Sequence, residues 1–474
     1  MAGKYEQPKR APKGKTAGIV ILAAVLVLTI IGIVAALWRM NPKEQLVQYL
    51  GASTPANPNR SHKSQTQSGT EAAAAGDGQE APFKVSTVTI GATGDLMLHD
   101  LVLQSGYDDQ SDTYNFNDIF TYFSKYVSKQ DYSALNLEVT LAGEDNGYPY
   151  AGYPSFNSPD AILDAIKASG FDLLLTANNH AYDTGVKGFM RTQQVIEERE
   201  LDHIGTKLDK ADKNYMVCQI NDIKIGMTCY TYCSAYTNGG NYVLNGAALL
   251  PEATNRINAF HYKDLDTFYI RLSGEIEKMK HEGAEAIVVF MHWGTEYETV
   301  PDASQRRIAQ WLCDMGVNVI VGTHPHVVQP IELLTSKTYP DHKTLCLYSV
   351  GKCLSNIYGN GKYPEHTEDG ILAAFTFDKY SDGTVLLESA DVLPIWLHRY
   401  EDDGTQKYQI LPLETGADWK TQMSLSDEVL ESCQESYDRT MKIVAEGLES
   451  ANSWFAQCQA KKESASISDE TNEK

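Results

Sequence analysis

VNVIVGTHPH, residues 317–326, passes from a short apolar run through a glycine into two histidines, and the same arrangement recurs along the chain. Val85–Gly91 leads to Asp95, Ala134–Leu137 to Glu138, Phe171–Thr176 to Asn178-Asn179-His180, and Ala286–Met291 to His292. Short runs rich in Val, Ile and Leu, separated by stretches of helical spacing, predict buried parallel strands. Open α/β sheets bind ligands outside the carboxyl ends of such strands. The pattern therefore predicts a layered α/β core whose sheet edge collects one Asp, one Glu, two Asn and four His. That residue set implies a metal or acid–base centre.

Each strand end carries its own chemistry. Two imidazoles two residues apart in an extended segment point to one side, and both can approach an ion at ~2.0–2.1 Å, the usual zinc–nitrogen distance. Pro325 between His324 and His326 fixes the local backbone. Asp95 closes the segment GATGD at 91–95, where glycines allow a sharp turn and close approach to a ligand. Glu138 at the end of a buried strand is costly unless it meets a cation, either a basic side chain or one or two metal ions that it bridges. Asn179 offers a neutral amide oxygen suited to a hard or borderline cation. His180 is placed to protonate a leaving group, with Asp183 orienting it. Asn178 faces substrate or caps the next helix. Trp293, Glu296 and Tyr297 follow His292 as candidates for a substrate groove, with buried packing as the competing role for the two rings. His99, four residues beyond Asp95, has less local support.

Bulk composition narrows the partners. A net charge of -22 over 474 residues weighs against nucleic acid, because neutralising phosphates needs Lys and Arg. Residues 1–16 are basic, and residues 17–38 carry no charge. At about 1.5 Å per residue that stretch reaches roughly 33 Å, enough to cross a bilayer. The positive-inside rule puts the N-terminus in the cytoplasm and everything after residue 40 outside. A cleaved signal peptide is the competing reading, but its apolar core is normally shorter and no small-x-small site follows.

Residues 39–82 are rich in Ser, Thr, Ala, Gln, Asn and Gly and read as a flexible linker. Strand–helix alternation fills a domain at 83–400, interrupted at 238–268 by a polar, aromatic insertion expected near the site. The strand-like run at 385–397 is expected to break at Pro394. Residues 401–460 predict a C-terminal helical extension, and 461–474 an acidic, disordered tail. The eight cysteines permit disulfides in an oxidising compartment, but their spacing assigns none. A GxxxxGK[ST] phosphate loop and a GxSxG elbow are both absent.

Six ordered motifs bring a family into view: GDLML at 94–98, NLE at 136–138, NNHAYDTG at 178–185, HWGTEY at 292–297, GTHPHVVQP at 322–330 and YSVGK at 348–352. Together, over roughly residues 85–380, they closely resemble the CapA (PgsA) family of capsule or poly-γ-glutamate synthesis proteins. The resemblance implies a calcineurin-like metallophosphoesterase fold. It puts Asp95, Glu138, Asn179, His292, His324 and His326 at ligand positions for one or two divalent ions (Mn, Zn or Fe), and His180 at the proton donor. It implies a membrane-anchored, extracytoplasmic protein acting in synthesis, export or attachment of an anionic capsule polymer, as a metal-dependent hydrolase or transferase at a phosphoester or amide bond. The alternative is a non-catalytic accessory subunit or polymer-binding scaffold of a membrane synthase complex. Two positions depart from the pattern. Met97 stands where Asp-x-His would place an imidazole, and Lys352 stands where an Asn is usual after Tyr-Ser-x-Gly.

Overall fold

The computed structural model describes residues 82–144, 147–236 and 241–471. The expected basic segment, membrane span and linker, up to residue 81, lie outside the described residues. Among the described residues no helix is long and apolar enough to cross a membrane.

All five apolar runs form strands, but they are shared between two sheets. In the first sheet β1 (Lys84–Leu96), β2 (Tyr132–Leu137), β3 (Leu173–Leu175) and β4 (Asp202–Ile204) run parallel. The second holds β5 (Tyr215–Ile220), β6 (Ile223–Tyr232), β7 (Ala286–His292), β8 (Val319–Thr323), β9 (Ile331–Thr335) and β10 (Lys343–Leu347). There β6, β7, β8 and β10 are parallel, while β5 and β9 pair antiparallel. The chain then returns to the first sheet. Its β11 (Lys352–Leu354) lies parallel to β1, and β12 (Asp369–Tyr380), β13 (Val385–Asp402) and β14 (Thr405–Pro412) extend it antiparallel.

The single sheet edge expected from sequence is thus corrected to two converging edges. Side-chain alternation explains the division. On β7, Ala286, Val288 and Phe290 share a core with Val88, Ile90, Ala134 and Leu173 of the first sheet. Ile287, Val289 and Met291 point the other way, onto Phe268 and Ile276 of one helix and Ile308 and Leu312 of another. Strands apolar on both faces need cover on both faces. Helices α1 (Ala161–Ala168) and α2 (Gly185–Glu198) cover the outside of the first sheet, and α3 (Leu265–His281) and α4 (Ala303–Asp314) that of the second. The result is a four-layer helix–sheet–sheet–helix core.

The C-terminal region departs from expectation in two ways. Asp403 and Gly404 both have positive φ, 47° and 74°, and turn the chain into a hairpin, so 405–412 is strand and not helix. Helix α5 (Asp427–Thr471) continues through most of the expected tail. Pro394 does not break β13. Its carbonyl accepts from Leu413 N at 2.8 Å, just past the last residue of β14, so the missing N–H faces the end of a ladder. Val444, Ala451 and Phe455 of α5 enter the core shared by both sheets. Arg439 clamps the buried Asp369 through Nε and Nη2, each at 3.0 Å.

Candidate metal centre

The carboxyl ends of β1, β2 and β3 meet those of β7 and β8, and the predicted polar residues converge there. Asp95, Glu138, Asn178, Asn179, His180, His292, His324 and His326 are all buried. Asp95 Oδ2 is 2.8 Å from His326 Nδ1, and its Oδ1 accepts from Asn136 Nδ2 at 2.7 Å. The same Asn136 amide reaches Glu138 Oε2 at 3.2 Å, so one side chain inside β2 spaces the two carboxylates. His292 Nε2 lies 2.8 Å from Asn179 Oδ1 and 3.5 Å from Glu138 Oε1, while its Nδ1 meets Thr323 Oγ1 at 2.9 Å.

Ligand atoms of Glu138, His292 and His324 lie within 4.8 Å of one another, and so do those of Asp95, Glu138 and His326. The two groups share Glu138. Two of their atoms, Glu138 Oε1 and His324 Nδ1, are buried without a hydrogen-bond partner, as is Asn178 Oδ1 beside them. Leaving such groups unpaired is costly; the two oxygens are acceptors, and the ring nitrogen is one in the tautomer protonated at Nε2.

Electrostatics follow from this crowding. Burial, and then the neighbouring Asp95, push the Glu138 carboxyl well above its ordinary range. Burial would also raise Asp95, but the hydrogen bond and charge of His326 outweigh it and hold Asp95 low. Burial lowers His292 to about 4, and lowers His324 well below its usual value with help from His292 and His326. The neutral His292 and His324 rings are in the form that metal ligation needs, whereas Glu138, held protonated by its surroundings, would give up its proton as an ion binds.

The His-Pro-His segment is not extended as expected. His324 and His326 adopt φ of 95° and 58°, left-handed conformations costing about 1–3 kcal/mol each where the surroundings enforce them. Those surroundings are visible: His324 N donates to Asp95 Oδ2 at 3.3 Å, and Pro325 O accepts from Tyr297 N at 2.7 Å. The coiled turn aims both rings at the cluster, with centroids 5.6 Å apart.

His180 adjoins the cluster. Its Nδ1 is 2.7 Å from Asp183 Oδ2. Burial alone would lower its pKa, but Asp183, then Glu138 and Glu296, raise it overall. Asp183 is held by Phe156 N at 2.8 Å and by Asn245 Nδ2 at 2.9 Å. Asn245 comes from a hairpin within the 238–268 insertion and also donates to Pro154 O. His99 stands one ring away: Phe156 lies edge-to-face with both His99 and His180.

Not every candidate joins the cluster. Trp293 is fully buried, its indole N–H donating to Tyr348 O at 2.9 Å, so its place is packing and not a groove. Asn178 donates to Leu137 O and Asn136 Oδ1, beneath the cluster. Glu296 is exposed beside His324 and His326, and Tyr297 is half-buried over His326. Of the two departures, Met97 packs in the apolar core, whereas Lys352 is buried in register with Asp95 and donates to Ile357 O at 3.0 Å. Burial pulls its ammonium down to about 7.

Gly94 holds Asp95 in place by close approach, because a Cβ there would lie 1.8 Å from Gly351 O on the entry to β11. Gly94→Ala must move one of the two backbones. We expect a loss of about 1–3 kcal/mol in unfolding free energy by denaturant titration, the range for overpacking, with weaker metal uptake from a displaced Asp95. Unchanged stability would contradict this packing.

Comparison with known proteins gives four findings. The family model described as bacterial capsule synthesis protein PGA_cap matches residues 89–357. The capsule biosynthesis protein CapA of Bacillus anthracis is 27% identical over 302 residues, covering 63% of this chain and 66% of that one, so the chain spans just under two thirds of that relative. The PGA biosynthesis protein CapA of Bacillus subtilis (strain 168) is 26% identical over 317 residues, 66% of this chain and 74% of that one. Among solved structures, the sulfate thiohydrolase SoxB of Thermus thermophilus, in complex with glycerol, aligns with a TM-score of 0.30 and 13% identity, covering 55% of this chain and 38% of that chain. A likeness at that level carries no argument about chemistry.

Proposed function

The chain belongs to the PGA_cap family of bacterial capsule synthesis proteins, and from that premise we propose that it is a membrane-anchored, extracytoplasmic metal-dependent hydrolase or transferase acting on an anionic capsule polymer such as poly-γ-glutamate. The four-layer core is read as metallophosphoesterase-like. The observation that carries the proposal is the pair of ligand groups sharing Glu138 beside the His180–Asp183 pair. The anchor would be the uncharged stretch at 17–38.

The donor set fits divalent ions. Asp95, Glu138 and His326 would hold one ion, and Glu138, Asn179, His292 and His324 a second, with mixed oxygen and nitrogen ligands suited to Mn, Zn or Fe. When Thr323 accepts from His292 Nδ1, Nε2 and Asn179 Oδ1 are two acceptors 2.8 Å apart, an arrangement that a cation between them relieves. Bound ions would supply Lewis-acid polarisation of a substrate oxygen and activation of water. The chain supplies the rest. Asp183 fixes His180 Nδ1, which leaves Nε2 to give a proton to the leaving group, and Asn245 holds Asp183 in that orientation.

A non-catalytic accessory role is the second reading. It is favoured by Lys352, buried in register with Asp95 and drawn down to about 7 by that burial, whose protonated form would let a polymer-binding scaffold dispense with an ion, and by Met97 in the apolar core. One experiment separates the two. The full-length chain, stripped and reloaded with Mn²⁺, is offered a phosphodiester and a γ-glutamyl amide. Metal-dependent turnover of either is the expected result. Metal uptake with no turnover, together with normal surface polymer in cells carrying only His180→Ala, would contradict the enzyme and support the accessory.

A further inference from the structure

The ion position formed by Asp95, Glu138 and His326 has three protein ligands, and Met97, two residues beyond Asp95, turns its thioether into the apolar core. Ions of this class take four or more ligands, so the position has room for another donor from the chain or from solvent. A third group of ligand atoms within 4.8 Å of one another lies on the open side: Glu296, His324 and His326. Here the two histidines are buried and the carboxylate is exposed. We infer that Glu296 is a further ligand of the metal centre, closing its solvent side above His324 and His326. This inference rests on the metal reading of the site given above.

Two observations support it. His324 Nδ1 is buried and unpartnered, so the group that Glu296 joins contains an unsatisfied ring nitrogen. The loop that carries Glu296 is not free to drift. Tyr297, next in sequence, has φ of 65° and donates its backbone N–H to Pro325 O at 2.7 Å, tying the loop to the histidine turn.

The test reads metal binding directly. Wild type, Glu296→Gln and Glu298→Gln, each as the full-length chain stripped of metal, are titrated with Zn²⁺ against a chromophoric chelator, and their Co²⁺ forms are compared by visible absorption. Glu296→Gln is expected to raise the dissociation constant of one ion on the order of tenfold or more and to change the Co²⁺ ligand-field bands, while Glu298→Gln matches wild type. Because position 296 is exposed, folding should be preserved, and coincident melting of the metal-free forms checks this. Equal affinities and an unchanged Co²⁺ spectrum in Glu296→Gln would overturn the assignment while leaving the metal centre intact. A wild type that takes up no ion at all would overturn the metal reading and this ligand with it.

Discussion

Glu138→Ala is expected to remove both ions at once, where Asp95→Ala removes one. Glu138 is common to the two ligand groups, and its carboxylate stands between Asn136 on one side and His292 on the other. No other described side chain belongs to both. The loss should exceed the 10–100-fold that removing an outer partner of a metal ligand typically costs, because a ligand itself is gone from each position. Glu138→Gln is the companion variant. It keeps the volume, so no cavity opens in the buried site, and it removes the charge whose burial raises the Glu138 pKa. A folded Glu138→Gln chain without metal would separate ligand loss from unfolding. Retention of one full ion in Glu138→Ala would contradict the shared position.

His180→Ala is expected to lower turnover by about 10²–10⁴-fold at unchanged metal content, the range for a positioned general acid. His180 Nδ1 is taken by Asp183, and Asp183, Glu138 and Glu296 together outweigh the lowering effect of burial. The ring therefore keeps its proton to higher pH than an ordinary histidine, as a donor to a leaving group must. Asp183→Asn should give a smaller loss of the same kind, since the amide can still hold the ring but without the charge. Turnover is read on whichever model substrate the wild type accepts, beside metal analysis of each variant. A His180→Ala chain as active as wild type would remove the proton-donor role.

Much of this site is legible in the sequence because buried strands end at chemically expensive residues. Glu138, His292 and the two histidines of the 324–326 turn stand out as polar groups directly after apolar runs, and burial at such ends demands a partner. The division into two sheets was not legible. Alternation is a local signal: it says that Val288 and Val289 face opposite ways, but not which neighbour each side meets. The left-handed turn at His324 and His326 was hidden for a related reason, since contacts from Asp95 and Tyr297, distant in sequence, enforce it. Asn136 looked like an ordinary strand residue and became the spacer between two carboxylates. Asn245 carried only an Asn-Gly turn signal, which predicts a hairpin and says nothing of its reach to Asp183. Asp403-Gly404 was a comparable signal, and reading it would have placed the strand at 405–412.

A two-ion centre built on Glu138 is read out by metal analysis of the purified full-length chain. Plasma mass spectrometry after loading with Mn²⁺ or Zn²⁺ and removal of free ion should find about two ions per chain, falling to none in Glu138→Ala. A wild-type chain that holds no ion under those conditions would contradict a metal centre here and support the accessory role.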